Sequence, residues 1–168
     1  MADFDIDVLI LSEHENFRRS FTEIEQLTDA GEAGSRWKEL ADALEVHASA
    51  EEVVFYPQLL QKVDDTADDT VHAVHDHNEI RDAARAVDEH EVGSDPWWEA
   101  FRNAREVTAD HLDEEERDML PPFRESVSSE QRNDLGMQWL QFHEEHENAQ
   151  GLSGEDKDPE AYVEEHSS

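Results

Sequence analysis

Apolar residues recur along most of this chain at helical rather than strand spacing. Ile10, Phe17, Phe21 and Ile24 share one face of a helix at about 3.6 residues per turn. The pattern predicts a first helix from Asp5 to about Thr28, stopped at Asp29-Ala30-Gly31, where glycine accepts a left-handed C-terminal conformation. Ser35 is the expected cap of a second helix whose inner face includes Leu40, Leu44, His47, Glu51 and Val54, with Pro57 ending or kinking it before Leu59 and Leu60. Asp64-Asp65-Thr66 supplies the next cap, for a third helix from about Ala67 to His90 that breaks at Gly93-Ser94-Asp95-Pro96. Asp95 as cap and Pro96 at the first helical position open a fourth, running to about Leu120. Short connections place successive helices antiparallel, so the expected fold is all-α, an up-down-up-down four-helix bundle.

The pattern changes after Pro122. Ser128-Ser129-Glu130-Gln131 reads as a capping box, and Leu135, Trp139, Phe142 and His146 form one stripe of an additional C-terminal helix, packed on the bundle or on a partner subunit. From Gly151 the chain holds Pro159, scattered acids and little apolar material, which predicts a flexible acidic tail. The division expected is a bundle over 1–124, a helix over 125–150 and a tail over 151–168.

Composition narrows the function classes. A length of 168 residues suits one compact domain. Lys and Arg total 13 against 45 Asp and Glu, a formal charge of -32 that repels phosphate backbones and anionic headgroups, so neither nucleic acid nor membrane is an expected partner. With 36% hydrophobic residues at helical spacing, the acids read as the skin of a folded core. Such a skin fits a halophilic protein, since a Debye length of about 3 Å at 1 M salt screens its self-repulsion. The absence of cysteine excludes disulfides and thiolate chemistry, leaving nitrogen and oxygen to hold any metal. Met1-Ala2-Asp3-Phe4-Asp5 lacks the basic and apolar regions of a signal peptide, and no apolar run reaches the roughly 18 residues of a membrane span. A soluble cytoplasmic protein is the expectation.

Histidine supplies the candidate chemistry. His14-Glu15-Asn16-Phe17-Arg18 is followed 33 residues after its His by His47-Ala48-Ser49-Ala50-Glu51-Glu52, and the pair recurs as His77-Asn78-Glu79-Ile80-Arg81 and, 34 residues on, His111-Leu112-Asp113-Glu114-Glu115-Glu116. His14 lies in the stripe Ile10, Phe17, Phe21, Ile24, and His77 has the matching place among Ala73, Ile80, Ala84 and Val87. His75 and His72 stand about 160° and 140° from His77 and are expected in solvent. Glu51 and Glu115, one turn after His47 and His111, lie about 40° from them and can share a metal, whereas Glu52 and Glu116 lie about 140° away and are expected in solvent. Glu114 is a substitute for Glu115 that the first half, with Ala50, does not support. His90, His143, His146 and His166 are read as surface or tail residues.

An isolated His on an apolar face is ordinarily a hydrogen-bonded core residue, and a glutamate run is ordinarily a solvated face. Four inward His, one per helix, with two inward Glu at matched offsets, are costly to bury without a metal. Six nitrogen and oxygen ligands suit iron, manganese or zinc and exceed what one tetrahedral ion uses, so two ions are the natural count. If Glu51 and Glu115 each bridge both, their charge offsets that of the metal in a low-dielectric core.

His14-x-x-Phe17, His47-x-x-x-Glu51 with Tyr56-Pro57, His77-x-x-Ile80 and His111-x-x-x-Glu115 with Pro121 resemble the hemerythrin-like, HHE cation-binding domain family over about Asp5 to Pro122. The resemblance implies an oxo- or hydroxo-bridged non-haem di-iron centre, with His14, His47, His77 and His111 as terminal ligands and Glu51 and Glu115 as bridges. The oxygen-carrying members use a fifth His one turn from the third-helix ligand and an Asp as second bridge. Here Ala73 and Arg81 flank His77 at one turn, which opens the coordination sphere. The expected function is iron or oxygen binding or sensing, with dioxygen as the small ligand and a homo-oligomer or protein partner reached through the C-terminal helix. A di-iron enzyme reducing oxygen, peroxide or nitric oxide is the first alternative, and a metal-free acidic scaffold the second.

Overall fold

The computed structural model describes residues 4–167 and is all-helical, with no strand among them. Residues 1–3 and 168, which the expected first unit and tail include, lie outside the described residues. Helix α1 spans Ile6–Glu25, α2 Ala30–Ala50, α3 Tyr56–Lys62, α4 Ala67–Asp88, α5 Asp95–Glu114, α6 Leu120–Ser126, α7 Ser129–Glu145 and α8 Pro159–His166. Single π turns, Glu51–Phe55 and Glu115–Met119, join α2 to α3 and α5 to α6.

The helix starts follow side-chain capping. Asp29 accepts from the Glu32 amide, so α2 begins before the expected cap at Ser35, and Gly31 sits inside its first turn. Ser94, rather than Asp95, caps α5 by accepting from the Trp97 amide, and Pro96 occupies the first turn, where its missing N–H has no intrahelical partner to lose. Ser128 caps α7 by accepting from Gln131, as its motif predicts.

Pro57 does not stop its helix. The π turn lets the Tyr56 amide bond the Glu51 carbonyl five residues back, and α3 resumes with Pro57 in its first turn, where proline is tolerated. Pro121 and Pro122 repeat this arrangement: Leu120 bonds Glu115, and α6 follows.

Contacts between the long helices run in opposite order along paired segments. His14 and Phe21 meet His47 and Trp37 of α2, while Arg18 and Glu25 of α1 meet Asp113 and Arg102 of α5. Glu45 and Glu52 meet Arg81 and His77 of the next long helix. The apolar core splits into two clusters. One is built around Phe17, Phe21, Trp37, Trp97 and Phe101, the other around Ile6, Ile10, Phe55, Phe123 and Trp139. Between them lies a layer of buried His and Glu. At about 25 cal/mol per Å² and 150–250 Å² per aromatic ring, each fully buried Trp contributes a few kcal/mol, which the polar layer itself does not supply.

The C-terminal segment differs from its expected flexible state. Pro159–His166 is helical, capped by Asp158 accepting from Ala161, with Tyr162 and Val163 buried against the second core cluster. Arg85 binds the Gly154 carbonyl and the Asp156 carboxylate. The Asn78 side chain pairs with both backbone groups of Lys157, at 2.6 and 2.9 Å. Two apolar residues and these paired backbone groups dock a segment whose composition alone reads as solvated.

Candidate metal centre

His14 (α1), His47 (α2), His77 (α4) and His111 (α5) each enter the layer between the two cores from a different helix, with Glu51 and Glu115 at the starts of the two π turns. All six are buried, and Glu51 and Glu115 have no exposed surface. Their donor atoms gather in two overlapping groups, His14, His47, Glu51 and Glu115 in one and Glu51, His77 and His111 in the other. His47 Nε2 and His77 Nε2 lie 3.2 and 3.1 Å from Glu51 Oε1, and His77 Nε2 lies 3.2 Å from His111 Nε2. His14 Nε2 is 3.3 Å from Glu115 Oε1, and His111 Nε2 is 3.6 Å from Glu115 Oε2. Donors sharing one ion at about 2.0–2.2 Å stand roughly this far apart.

Five buried side-chain atoms among the described residues have no hydrogen-bond partner: His14 Nε2, His47 Nε2, Glu51 Oε2, Glu115 Oε1 and, outside this group, Thr108 Oγ1. Leaving one such group unsatisfied costs about 1–3 kcal/mol, so four converging on one interior space fit cations held there. Glu114, the substitute considered for Glu115, is half-exposed and faces His72 at 2.9 Å.

The opposite nitrogen of every inward His donates to a carboxylate. His14 Nδ1 donates to Glu116 at 2.8 Å, His47 Nδ1 to Glu13 at 3.0 Å, His77 Nδ1 to Glu52 at 2.6 Å and His111 Nδ1 to Asp76 at 3.2 Å. This pairing keeps Nδ1 as the donor and turns each Nε2 towards the interior, where its lone pair would meet an ion once the second proton is displaced. The pattern is two-fold: within each half, the acid before the first His orients the second, and the acid after each inward Glu orients a His of the other half.

Glu52 and Glu116 are therefore corrected from solvent to site. Glu52 is buried and also receives Arg81 and Lys157, while half-buried Glu116 also receives Arg18. A bundle helix meets two neighbours rather than one, and Glu52 faces His77 and Arg81 of α4. His143 is also more than a surface residue: it donates from Nε2 to Glu13 at 2.9 Å. His72, His75 and His90 are exposed, as expected. Glu13, Asp76 and Tyr56 carry no assigned role in the sequence reading. An acid directly before each first His and directly after each inward Glu, in both halves, was the signal for the orienting acids. Tyr56 is fully buried, donates to Glu115 Oε2 at 2.8 Å and stands 3.2 Å from His77 Nε2, whereas the second half has Leu120 at the matching place before proline.

Burial and charge oppose each other here. Burial lowers the proton affinity of His47 and His111, but the carboxylates of Glu51 with Glu13, and of Asp76 with Glu51 and Glu115, outweigh it, raising His47 well above its usual range and His111 to about 10. Burial raises Glu13, yet donation from His143 and His47 prevails and holds it at about 2. Burial and the Glu51 charge raise Glu115, while Glu51 itself is held low by His47 despite its own burial. Divalent ions would take over from the protons that balance these carboxylates.

Side chains converging from four helices, each imidazole braced by a carboxylate, are compatible with a metal-binding helical protein. The hemerythrin HHE cation-binding domain family matches residues 5–123, and the chain belongs to it. A DNA nickase from Nostoc sp. strain PCC 7120 is 24% identical over 129 residues, 77% of this chain and 36% of that protein. The chain thus spans about a third of the length of the curated relative it matches. No solved structure matches it. None of the described helices is long and apolar enough to cross a membrane.

Proposed function

We propose that this chain is a di-iron-binding protein of the cytoplasm, with an up-down-up-down bundle holding two ions between its two cores and serving to bind or sense dioxygen or iron. The observation that carries this reading is the set of four inward Nε2 atoms, each with its Nδ1 tied to a carboxylate, around two buried glutamates with unpartnered oxygens. His14 and His47 would hold one ion, His77 and His111 the other, with Glu51 and Glu115 shared between them. Manganese or zinc would fit the same donors, and iron is favoured by membership of the family. Bound iron supplies a redox couple, Lewis acidity and open positions for a small ligand such as dioxygen.

The residues around those donors orient and exclude. Glu13, Glu52, Asp76 and Glu116 hold the rings, Tyr56 holds Glu115, and the aromatic cores on either side keep bulk water out. Binding or sensing is favoured over turnover because the acids and the buried phenol that reach the centre are already engaged with its donor side chains. The nicking activity in the relative's name is not carried over, since a net charge of -32 repels a DNA backbone. The same charge supports a working environment of high salt.

The test is metal analysis with an ultraviolet-visible spectrum, recorded anaerobically and again in air on protein purified in high salt. About two irons per chain with near-ultraviolet oxo-bridge absorption is the expected result. Bands that reverse on deoxygenation would assign oxygen binding. A folded chain carrying zinc or no metal would overturn the di-iron reading.

A further inference from the structure

The family match ends at residue 123, yet two of the four acids that orient the inward His are gripped from beyond it. On α7, Trp139 Nε1 donates to Glu13 Oε2 at 2.5 Å and His143 Nε2 donates to Glu13 Oε1 at 2.9 Å. That same Oε1 accepts from His47 Nδ1, and the indole packs edge-on against the His47 ring with centroids 5.3 Å apart. His143 is itself oriented, since its Nδ1 donates to the Trp139 carbonyl at 2.8 Å. On the segment leading to α8, Lys157 Nζ donates to Glu52 Oε1, while Glu52 Oε2 accepts from His77 Nδ1. Lys157 is placed by the two Asn78 bonds, and Tyr162 donates to the Glu52 backbone carbonyl.

The other two orienting acids have no such support. Glu116 is held by Arg18 from α1, and Asp76, beyond its bond to His111, lies 3.7 Å from His72, with neither acid bonded to the C-terminal segment among the described residues. The C-terminal segment therefore reaches one His of each donor group: His47 in the group with His14, and His77 in the group with His111.

We propose that the C-terminal segment is an outer layer of the metal centre, in which His143 and Lys157 are positioning residues that each set how firmly one of the two ions is held. His143 acts through Glu13 on His47, and Lys157 acts through Glu52 on His77. A carboxylate fixed by several donors holds its imidazole at one angle, so the Nε2 lone pair stays aimed at the ion instead of swinging with the ring. Removing one donor leaves Glu13 to Trp139, or Glu52 to Arg81, so the carboxylate is held less firmly, which loosens that imidazole and leaves the other ion's set unchanged. The inference rests on the two-ion reading above.

The test uses the full chain loaded with cobalt(II), whose release to a chelator is followed by its ligand-field absorption. The parent should take up two ions and release them in two phases. His143→Leu should accelerate one phase by about 10-fold to 100-fold and Lys157→Met the other, the usual range for loss of an outer partner. His143→Gln and Lys157→Arg, which restore a donor, should return the rates toward the parent. The unfolding midpoint of the chelated protein reports a purely structural role. Unchanged release, or both phases moving together with a fall in that midpoint, would overturn the assignment of positioning residues while leaving the two-ion reading intact. A parent that binds no cobalt would sink the two-ion reading and this inference with it.

Discussion

Glu51 is the residue on which the metal reading is most exposed to test, because it belongs to both donor groups. Its Oε1 lies 3.2 Å from His47 Nε2, 3.1 Å from His77 Nε2 and 3.9 Å from His111 Nε2, and its Oε2 has no partner. Glu51→Gln keeps the shape and removes the charge. An ion that binds only the folded chain, supplied at 100 times its dissociation constant, stabilises by about 2.7 kcal/mol. In a domain of this size that is a rise of roughly 5–11 °C in Tm per ion, at about 2–4 °C per kcal/mol. The variant should lose this gain for both ions, because a neutral amide neither bridges cations nor offsets their charge in a dry interior. Its chelated form should shift less than its metal-treated form, since burial allows the neighbouring His to shed a proton once the carboxylate is gone. Thermal melts of parent, Glu51→Gln and Glu114→Gln, each with metal and with chelator, decide the matter. Glu114→Gln should behave as the parent. A Glu51→Gln protein that retains two ions and the full metal-dependent rise would refute the reasoning.

Arg81 is buried between Glu45 and Glu52, so Arg81→Met should lower the unfolding free energy in urea by about 3–5 kcal/mol, whereas Arg85→Met, half-exposed, should cost about 0–1 kcal/mol. At Gly136 a Cβ would fall 1.3 Å from the Phe4 carbonyl oxygen, so Gly136→Ala should force α7 away from the start of α1 and destabilise by at least about 1–3 kcal/mol in the same assay; a neutral result would show that α7 does not sit this close. Asp7 is buried and its pKa is raised above 3.8, chiefly by that burial and against the opposing charge of Arg124. The protonated form is favoured in the folded chain, so the parent's stability relative to Asp7→Asn should be greatest below pH 3.8 and fall as pH rises through the raised folded value. Urea titrations of both proteins across that window would show a constant difference if Asp7 were solvated.

Much of the helical frame was legible in the chain itself. Helical periodicity located the long helices, Pro96 and the Ser128 motif marked true starts, and the doubled His/Glu pattern brought together the six side chains the structure gathers. These features are local: whether a residue shares a face with another four positions away depends on helix geometry alone. Boundaries that depend on competing caps were less secure. Asp29 outcompeted Ser35 as the start of α2, and a π turn carried the helix through Pro57.

What only the tertiary structure decided are the contacts between segments remote in sequence. Glu52 and Glu116 look solvated from their own helix and become orienting acids because a neighbouring helix presents His77 or His14 to them. Lys157 sits in a stretch with the composition of a flexible tail, and it reaches a buried carboxylate because Asn78, Arg85 and a pocket for Tyr162 lie on surfaces the rest of the chain builds. Periodicity encodes which way a side chain leaves its own helix axis. The partner it meets there is fixed only when the helices pack, because that packing sets the distances on which hydrogen bonds and charge pairing depend.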